Sequence, residues 1–204
     1  MMKMTTEETN MTSLAEDRIQ ESYRYAEIMH KGQTRKTDGT PMFTHPVRVS
    51  KELEAAGFDE DVIMAGLLHD TVEDTTATFE EIEQRFGKRV AELVAGNTEN
   101  KAHGWEERKQ HTIDSLPEAT FEIRALIVAD KLDNLKSMMK AYQEKGDSLF
   151  EHFKRGKAAQ LWYFKGVAEN MMKNSEHLEP PAFFLEYKRL VEEFELLLFP
   201  ELAR

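Results

Sequence analysis

The stretch from Gly66 to Thr75 carries four ionisable side chains directly after a run of apolar residues. These side chains are His69, Asp70, Glu73 and Asp74. Because residues four apart share a face of a helix, Glu73 is expected one turn beyond His69. Asp74 is expected one turn beyond Asp70 for the same reason. Burying such groups beside apolar side chains costs several kcal/mol unless something pairs with them. The stretch therefore restricts the fold to one that supplies a partner for these charges.

A divalent metal ion is the simplest partner for this group. Imidazole and carboxylate form a mixed nitrogen and oxygen ligand set, which suits Mn, Fe, Zn or Co better than Ca. Two more candidate ligands are His45, just ahead of a predicted helix, and Asp130, an acid inside an apolar helical run. Together with His69 and Asp70 they would give two neutral nitrogens and two negative oxygens, which neutralise a divalent ion. The alternative interpretation is a helix end with solvated acids and one hydrogen-bonded histidine.

Nearly every segment follows the 3.6-residue period of an amphipathic helix, so the sequence predicts an all-α, single-domain helical bundle. Residues 1–12 are predicted to be disordered, and 13–204 to form the domain, with the C-terminal helices packed on it. Ser13, Asp59 and Thr78 are the predicted helix caps. The predicted helices cover about 13–30, 46–57, 78–87, 90–97, 105–116, 120–142, 148–173 and 182–199. One more helix begins at Asp59 and is predicted to carry His69 and Asp70. The single strand-like pattern is a short hairpin in the 35–44 loop.

The composition is that of an ordinary globular protein, with 40% hydrophobic and 32% charged residues among 204. It contains no cysteine, which excludes disulfides and thiolate metal sites and indicates a cytoplasmic location. A formal net charge of −11 disfavours nucleic acid or an anionic membrane surface as the main partner. No apolar run reaches the ~20 residues that a transmembrane helix needs. A small phosphorylated substrate is compatible with this charge if cations are concentrated locally. A homo-oligomer is also compatible, although the sequence does not fix the oligomeric state.

The order His, His-Asp, Asp resembles the signature of the HD phosphohydrolase superfamily. Several longer segments resemble the hydrolase domain of RelA/SpoT proteins, and the similarity covers about residues 20 to 140. These segments are His30–Lys36, Gly39–Pro41, His45–Pro46, Leu67–Thr75 and Ala129–Leu135. Because several motifs occur in the right order, the match is specific. The chain looks most like the small stand-alone alarmone hydrolases, which include the metazoan SpoT homologues.

The resemblance implies a helical HD domain that removes the 3′-diphosphate of ppGpp and gives GDP and pyrophosphate, with Mn²⁺ as the metal. Four positions match the family's metal ligands, namely His45, His69, Asp70 and Asp130. Two positions match the catalytic pair, which would orient water or move protons, namely Glu73 and Asp74. Three positions match substrate contacts, namely Arg35, Lys36 and Asn134. Arg35 and Lys36 also suit phosphates on chemical grounds, because the arginine fork matches phosphate oxygens. The alternative is that they belong to a solvated loop.

The sequence departs from the long-form hydrolases at three positions, one of which is Met42, where those enzymes often have tyrosine after the proline. Those enzymes usually have Ala-Asp-Arg-Leu-His-Asn, whereas this chain has Lys131 and Asp133 in place of the arginine and the histidine. The departures bear on the guanosine pocket and leave the metal set unchanged. The alternative enzymatic interpretation is hydrolysis of another nucleotide, such as a nucleoside phosphate, a cyclic dinucleotide or NADPH. A metal-stabilised, nucleotide-binding module without turnover is the alternative from another class, and the presence of Glu73 and Asp74 disfavours it. From the chain length we expect hydrolysis only, without the synthetase domain of long RelA/SpoT proteins.

Overall fold

The protein is built from α-helices, which confirms the predicted fold class. The structure, a computed structural model, describes residues 6–203. Its α-helices are α1 (Thr6–Met29), α2 (Thr44–Ala55), α3 (Glu60–Leu68), α4 (Thr71–Asp74), α5 (Phe79–Phe86), α6 (Lys88–Asn97), α7 (Trp105–Ser115), α8 (Phe121–Lys145), α9 (Lys157–Asn170) and α10 (Ala182–Leu198). Short 3-10 segments cover Leu116–Glu118, Gly146–His152 and Pro200–Ala203. Within residues 6–203, strand-like pairing is limited to one antiparallel bridge between Thr34 and Pro41, in the loop where a hairpin was predicted.

Helix α8 runs through the middle of the fold and packs against α2, α3, α6 and α10. Its apolar side chains, such as Leu126 and Leu132, are buried in one apolar core that extends to α9 and α10. The hydroxyl of Tyr187 on α10 donates a hydrogen bond to the carbonyl of Phe164 on α9 (3.0 Å). The C-terminal helices therefore share the core that surrounds α8. No helix in the described part of the chain combines the length and the apolarity needed to cross a bilayer.

The start of α1 differs from the prediction. The helix begins at Thr6, whereas the sequence predicted disorder over 1–12 and a capped start at Ser13. Residues 1–5 lie outside the described residues. No glycine or proline interrupts the sequence from Thr6 to Met29, so the helix can extend beyond the predicted boundary.

The helix capped by Asp59 ends at Leu68, and the separate helix α4 follows. The prediction of one helix that carries His69 and Asp70 is therefore wrong. Two side chains compete for backbone acceptors here, because His69 Nδ1 donates to the Gly66 carbonyl (2.8 Å) and the Thr71 hydroxyl donates to the Leu68 carbonyl (2.6 Å). The resulting turn separates the His-Asp pair from the two acids on α4.

The helix predicted over 148–173 is also divided. Gly146 ends α8 with a φ of 59°, a left-handed conformation that favours glycine. A 3-10 segment then runs to His152, and α9 begins only at Lys157. Gly156, directly before α9, has extended backbone (φ −74°, ψ 179°). Gly156 lies within the predicted range, and its extended backbone marks the division between the 3-10 segment and α9. The caps predicted at Asp59 and Thr78 are confirmed by bonds of 3.2 Å to backbone N–H groups.

Helices α2 and α3 come close together at Gly66. A Cβ atom at Gly66 would lie 2.9 Å from Leu53 Cδ1 and 3.0 Å from Ser50 Cα. The second of these is a backbone atom, so a side-chain rotation cannot relieve the contact. The close approach brings His45 on α2 beside the end of α3.

We expect Gly66→Ala to destabilise the protein by about 1–3 kcal/mol, because α2 and α3 must move apart to accept the methyl group. Urea unfolding followed by circular dichroism measures this effect. Gly156→Ala is the control, since a Cβ there meets nothing within 4 Å and φ is −74°. Equal unfolding midpoints for the two variants would contradict the close packing at Gly66.

Candidate metal centre

Four side chains that the sequence predicted as ligands converge between α2, α3 and α8. His45 is the second residue of α2, His69 and Asp70 follow α3 directly, and Asp130 lies within α8. His45, His69 and Asp130 are buried, with exposed fractions of 1%, 1% and 3%. The side chain of Asp70 is 17% exposed and forms the open side of the group.

The polar atoms of this group face one another at short distances. His45 Nε2 lies 3.1 Å from His69 Nε2 and 3.2 Å from Asp130 Oδ1. Asp70 Oδ1 lies 3.3 Å from His69 Nε2, and Asp70 Oδ2 lies 3.6 Å from His45 Nε2. Asp130 Oδ1 lies 3.8 Å from His69 Nε2. Ligand atoms bound about 2 Å from one ion are separated by about 3–4 Å. The ligand atoms of His45, His69 and Asp70 all lie within 4.8 Å of one another, which suits three donors around a single cation, and Asp130 approaches this group from the side of the two imidazoles.

The hydrogen bonds on the far sides of the two imidazoles support the same interpretation. His69 Nδ1 bonds to the Gly66 carbonyl (2.8 Å), and a carbonyl can only accept, so Nδ1 carries the proton. His45 Nδ1 bonds to the carboxylate of Asp133 (2.7 Å) and carries a proton in the same way. In their neutral forms both rings then direct an Nε2 lone pair into the group. Two lone pairs 3.1 Å apart require a positive charge between them.

Electrostatics around the group favour charged carboxylates. Burial favours the neutral form of Asp130, but the positive charge of Lys131 holds its pKa well below the usual range. Burial also lowers the pKa of His45, yet the hydrogen bonds to Asp130 and Asp133 outweigh it and raise that pKa to about 9. Without a metal, the site therefore binds a proton, which a divalent ion has to displace.

Glu73 and Asp74 lie on α4 and contact the loop between α6 and α7. Asp74 Oδ1 accepts a hydrogen bond from Lys101 Nζ (2.6 Å). Glu73 Oε2 accepts one from the backbone N–H of Glu99 (3.3 Å), and Glu73 Oε1 lies 3.8 Å from Arg108 Nη1. Burial raises the pKa of Glu73, and neighbouring carboxylates add to the rise, although the N–H of Glu99 opposes it. A raised carboxyl pKa is typical of groups that transfer protons.

A cavity of about 690 Å³ opens beside Glu73 and Asp74. Its lining includes the aromatic rings of Trp105 and Phe153. It also includes five basic side chains, namely Lys36, Lys101, Arg108, Lys154 and Arg155. This cluster of lysine and arginine side chains contrasts with the rest of the protein, since the net charge of the whole chain is −11. Such a lining suits an anionic ligand that carries several phosphate groups.

The three predicted substrate-binding residues line a second cavity of about 510 Å³, which shares Lys36 with the first. Lys36 is exposed, whereas Arg35 is 7% exposed. The guanidinium of Arg35 donates to Asp133 Oδ2 (2.9 Å) and to Asn134 Oδ1 (3.0 Å). Asn134 Nδ2 donates in turn to Asp130 Oδ1 (2.6 Å). Asn134 therefore bonds directly to a candidate ligand, and Arg35 is linked to the candidate ligands through Asn134 and Asp133.

Sequence reasoning gave no role to four residues of this region, namely Asp133, Lys101, Lys154 and Arg155. A signal for Asp133 was present, because it is a second acid in the apolar run of α8, three residues after Asp130. No local pattern marked Lys101, whose place against Asp74 depends on how α4 meets the loop after α6. Lys154 and Arg155 follow the 3-10 segment Gly146–His152, in a region that the sequence predicted to be one continuous helix.

Comparisons with known protein sequences confirm the resemblance inferred from the motifs. The family model described as HD domain matches residues 22–154. The guanosine-3′,5′-bis(diphosphate) 3′-pyrophosphohydrolase of Danio rerio is 39% identical over 127 residues, which are 61% of this chain and 71% of that protein. The protein of the same name from Aquifex aeolicus is 40% identical over 132 residues, which are 63% of this chain. The matched region spans 19% of the Aquifex protein, so that relative is much longer.

Two solved structures superpose on most of the chain. A Listeria monocytogenes EGD-e protein superposes with a TM-score of 0.70 at 48% identity, covering 78% of this chain and 97% of that chain. A metazoan ortholog of SpoT that hydrolyzes ppGpp superposes with a TM-score of 0.69 at 30% identity. This second match covers 88% of the present chain and 94% of the ortholog.

We expect Asp70→Ala to lose most of the thermal stabilisation that a divalent transition-metal ion gives to the wild-type protein. A ligand that binds the native state raises the melting temperature according to its affinity, and this variant lacks one of four donors. Differential scanning fluorimetry with and without the ion measures the shift. Asp147→Ala, at an exposed acid outside the group, should respond like the wild type. The same metal-induced shift in Asp70→Ala and the wild type would contradict an ion at this position.

Proposed function

The chain belongs to the HD domain family, and we propose that it hydrolyses guanosine 3′,5′-bis(diphosphate), ppGpp, at the 3′-diphosphate. The products would be GDP and pyrophosphate. One observation carries the proposal: the converging donor side chains are followed, three and four residues after Asp70, by Glu73 and Asp74, which line a cleft together with five lysine and arginine residues. Metal-assisted hydrolysis of a diphosphate needs these two features next to each other. Relatives that are named for this reaction support the choice of substrate.

We propose that the resident metal is Mn²⁺ and that it is held by the four converging residues, namely His45, His69, Asp70 and Asp130. Two neutral imidazoles and two carboxylates balance a divalent charge, and this mixed donor set suits Mn²⁺. When bound, such an ion makes water a usable nucleophile near neutral pH and withdraws charge from a phosphoryl oxygen. The buried hydrogen bonds at the two Nδ1 atoms would keep both rings in the orientation that binding requires.

Glu73 and Asp74 are the proposed catalytic pair. Glu73 has a raised pKa, so it can accept and return a proton closer to neutral pH than an exposed glutamate does. Asp74 is held at the cleft wall, because its carboxylate bonds to Lys101 (2.6 Å) and its carbonyl accepts from Gln33 (2.8 Å). Glu73 would take a proton from the attacking water, while Asp74 would orient that water. As the bond from phosphorus to the ribose 3′-oxygen breaks, Glu73 would return the proton to that oxygen of GDP. Arg108, within 3.8 Å of Glu73, would stabilise negative charge on the phosphoryl oxygens of the pyrophosphate that forms.

The proposed substrate contacts are Arg35, Lys36 and Asn134. A bis(diphosphate) carries two separated anionic groups on one ribose, and the two cavities share Lys36 and Asp74. We assign the 3′-diphosphate to the larger cavity, because Glu73 and most of the basic side chains line it. The nucleoside would then occupy the smaller cavity, beside Arg35 and Asn134.

We propose a cytoplasmic location, which is supported by a sequence without cysteine. We propose that residues 13–204 act as one domain, which is supported by the apolar core that joins Tyr25 on α1 to Leu198 on α10. The partner would be a small nucleotide, consistent with the two cavities of about 690 and 510 Å³ and with a net charge of −11, which disfavours nucleic acid.

Turnover of ppGpp by metal-stripped protein, with Mn²⁺ restored, tests the proposed reaction. We expect equal amounts of GDP and pyrophosphate, and no release without the added ion. Glu73→Gln should lower kcat by about 10²- to 10⁴-fold, because it removes the proton acceptor. This variant should still bind Mn²⁺, since it keeps all four donors, whereas Asp70→Ala should lose both metal binding and turnover.

The outcomes of this assay separate the competing functions. Cleavage of another nucleotide from a panel, with ppGpp left intact, would contradict the proposed substrate but retain a phosphohydrolase. Tight binding of Mn²⁺ without cleavage of any nucleotide in the panel would contradict an enzymatic role.

The raised pKa of Glu73 predicts the acidic limb of the pH profile. A general base works when ionised, so kcat/KM should fall as the pH falls through the raised pKa. That limb should lie above about 4.3, the ordinary value for a glutamate. Rates from pH 4.5 to 8 at saturating Mn²⁺ measure it, and Asp147→Ala serves as a control with an unchanged profile. An acidic limb that Glu73→Gln leaves in place would contradict the assignment.

A further inference from the structure

We propose that Asp133 is a positioning residue of the metal centre, and that Arg35 couples this centre to the loop that lines the cleft. The inference rests on the metal site proposed above. Asp133 is 7% exposed and lies on α8. Its Oδ2 accepts hydrogen bonds from His45 Nδ1 (2.7 Å) and from Arg35 Nη1 (2.9 Å). Arg48 donates to both carboxylate oxygens, with Nη2 at 3.1 Å from Oδ2. One buried carboxylate therefore joins a ligand imidazole to two arginines.

The two ligand imidazoles have different partners. His69 donates to the backbone carbonyl of Gly66, whereas His45 donates to the carboxylate of Asp133. A carboxylate partner fixes the ring, selects the tautomer with Nε2 directed at the ion, and makes the imidazole a stronger donor. Asp133 would thus raise the metal affinity through His45. It is not itself one of the four proposed ligands.

Arg35 contacts two residues that each bond to a different metal ligand. Its Nη1 donates to Asp133, which bonds to His45. Its Nη2 donates to Asn134 (3.0 Å), whose amide donates to Asp130 (2.6 Å). Because the guanidinium is planar and rigid, the two bonds fix each other's geometry. A shift of Arg35 would therefore disturb both sides of the metal centre.

Arg35 belongs to the loop between α1 and α2, so this geometry connects the loop to the metal. The next residue, Lys36, lines both cavities. Gln33, two residues before Arg35, donates a hydrogen bond to the backbone carbonyl of Asp74 (2.8 Å). The loop is thus bonded to the metal centre at Arg35 and to the catalytic pair at Gln33. Since coupling between sites is reciprocal, an ordered loop should favour metal binding, and a bound metal should favour the ordered loop.

Calorimetric titration of metal-free protein with Mn²⁺ tests this proposal without any nucleotide. Asp133→Asn keeps the shape of the side chain but removes its charge, and should weaken the Kd for Mn²⁺ by about 10- to 100-fold. Asp61→Asn is the matched control, because its carboxylate also joins two arginines, Arg18 (3.0 Å) and Arg89 (3.2 Å). The control should bind Mn²⁺ like the wild type. Arg35→Lys replaces a fork with a single donor group and should give a loss smaller than that of Asp133→Asn.

Each outcome of the titration has a separate meaning. A wild-type chain that binds no Mn²⁺ would overturn the proposed metal centre itself. Wild-type affinity in Asp133→Asn, with binding intact in the parent, would overturn the positioning role and leave the metal centre in place. Wild-type affinity in Arg35→Lys would overturn the coupling to the loop.

A second measurement uses the wild-type chain and does not depend on how a variant folds. In protein loaded with diamagnetic Zn²⁺, NMR detects the Nδ1 proton of each ligand imidazole. The His45 proton should resonate downfield of the His69 proton, because a hydrogen bond to a carboxylate is shorter and stronger than one to a neutral carbonyl. Coincident resonances, or a His45 proton that exchanges with solvent too fast to observe, would overturn the proposed contact with Asp133.

Discussion

The close approach of His45 Nε2 to His69 Nε2, at 3.1 Å, is the contact on which the rest of the site depends. Both rings are held by hydrogen bonds at Nδ1, so neither can turn its Nε2 lone pair away. Gly66 allows α3 to approach α2 closely enough for the two rings to meet. The buried helix α8 adds Asp130 from the third side. A cation turns this otherwise repulsive arrangement into a stabilising one.

The break after Leu68 divides the chemistry of the motif between two places. At the break itself, His69 and Asp70 face the buried group. After it, α4 places Glu73 and Asp74 on the wall of a basic cleft. A continuous helix would have kept the four ionisable residues in two stacked pairs. The division puts Glu73, the proposed proton-transfer group, at the cleft, while the proposed metal donors remain in the interior.

The fold class and the converging donors were predictable, because helical periodicity and acids in apolar runs are visible along the sequence. The break at His69 was not, since it depends on two side-chain bonds to backbone carbonyls that interrupt the pattern for a single turn. The environment of Arg35 was not predictable either. Its partner Asp133 is 98 positions away, and only the packing of the loop on α8 brings them together. The positive charge of that loop predicted only substrate contact. The structure also links Arg35 to His45 through Asp133 and to Asp130 through Asn134.

Anomalous X-ray scattering from crystals grown with Mn²⁺ would locate the ion directly. We predict one strong peak between the Nε2 atoms of His45 and His69, with oxygens of Asp70 and Asp130 in its coordination shell. This result would establish that the buried group is the metal centre around which the catalytic pair and the basic cleft are arranged. The absence of a peak at this position, or a peak confined to the basic cleft, would contradict the metal-assisted mechanism.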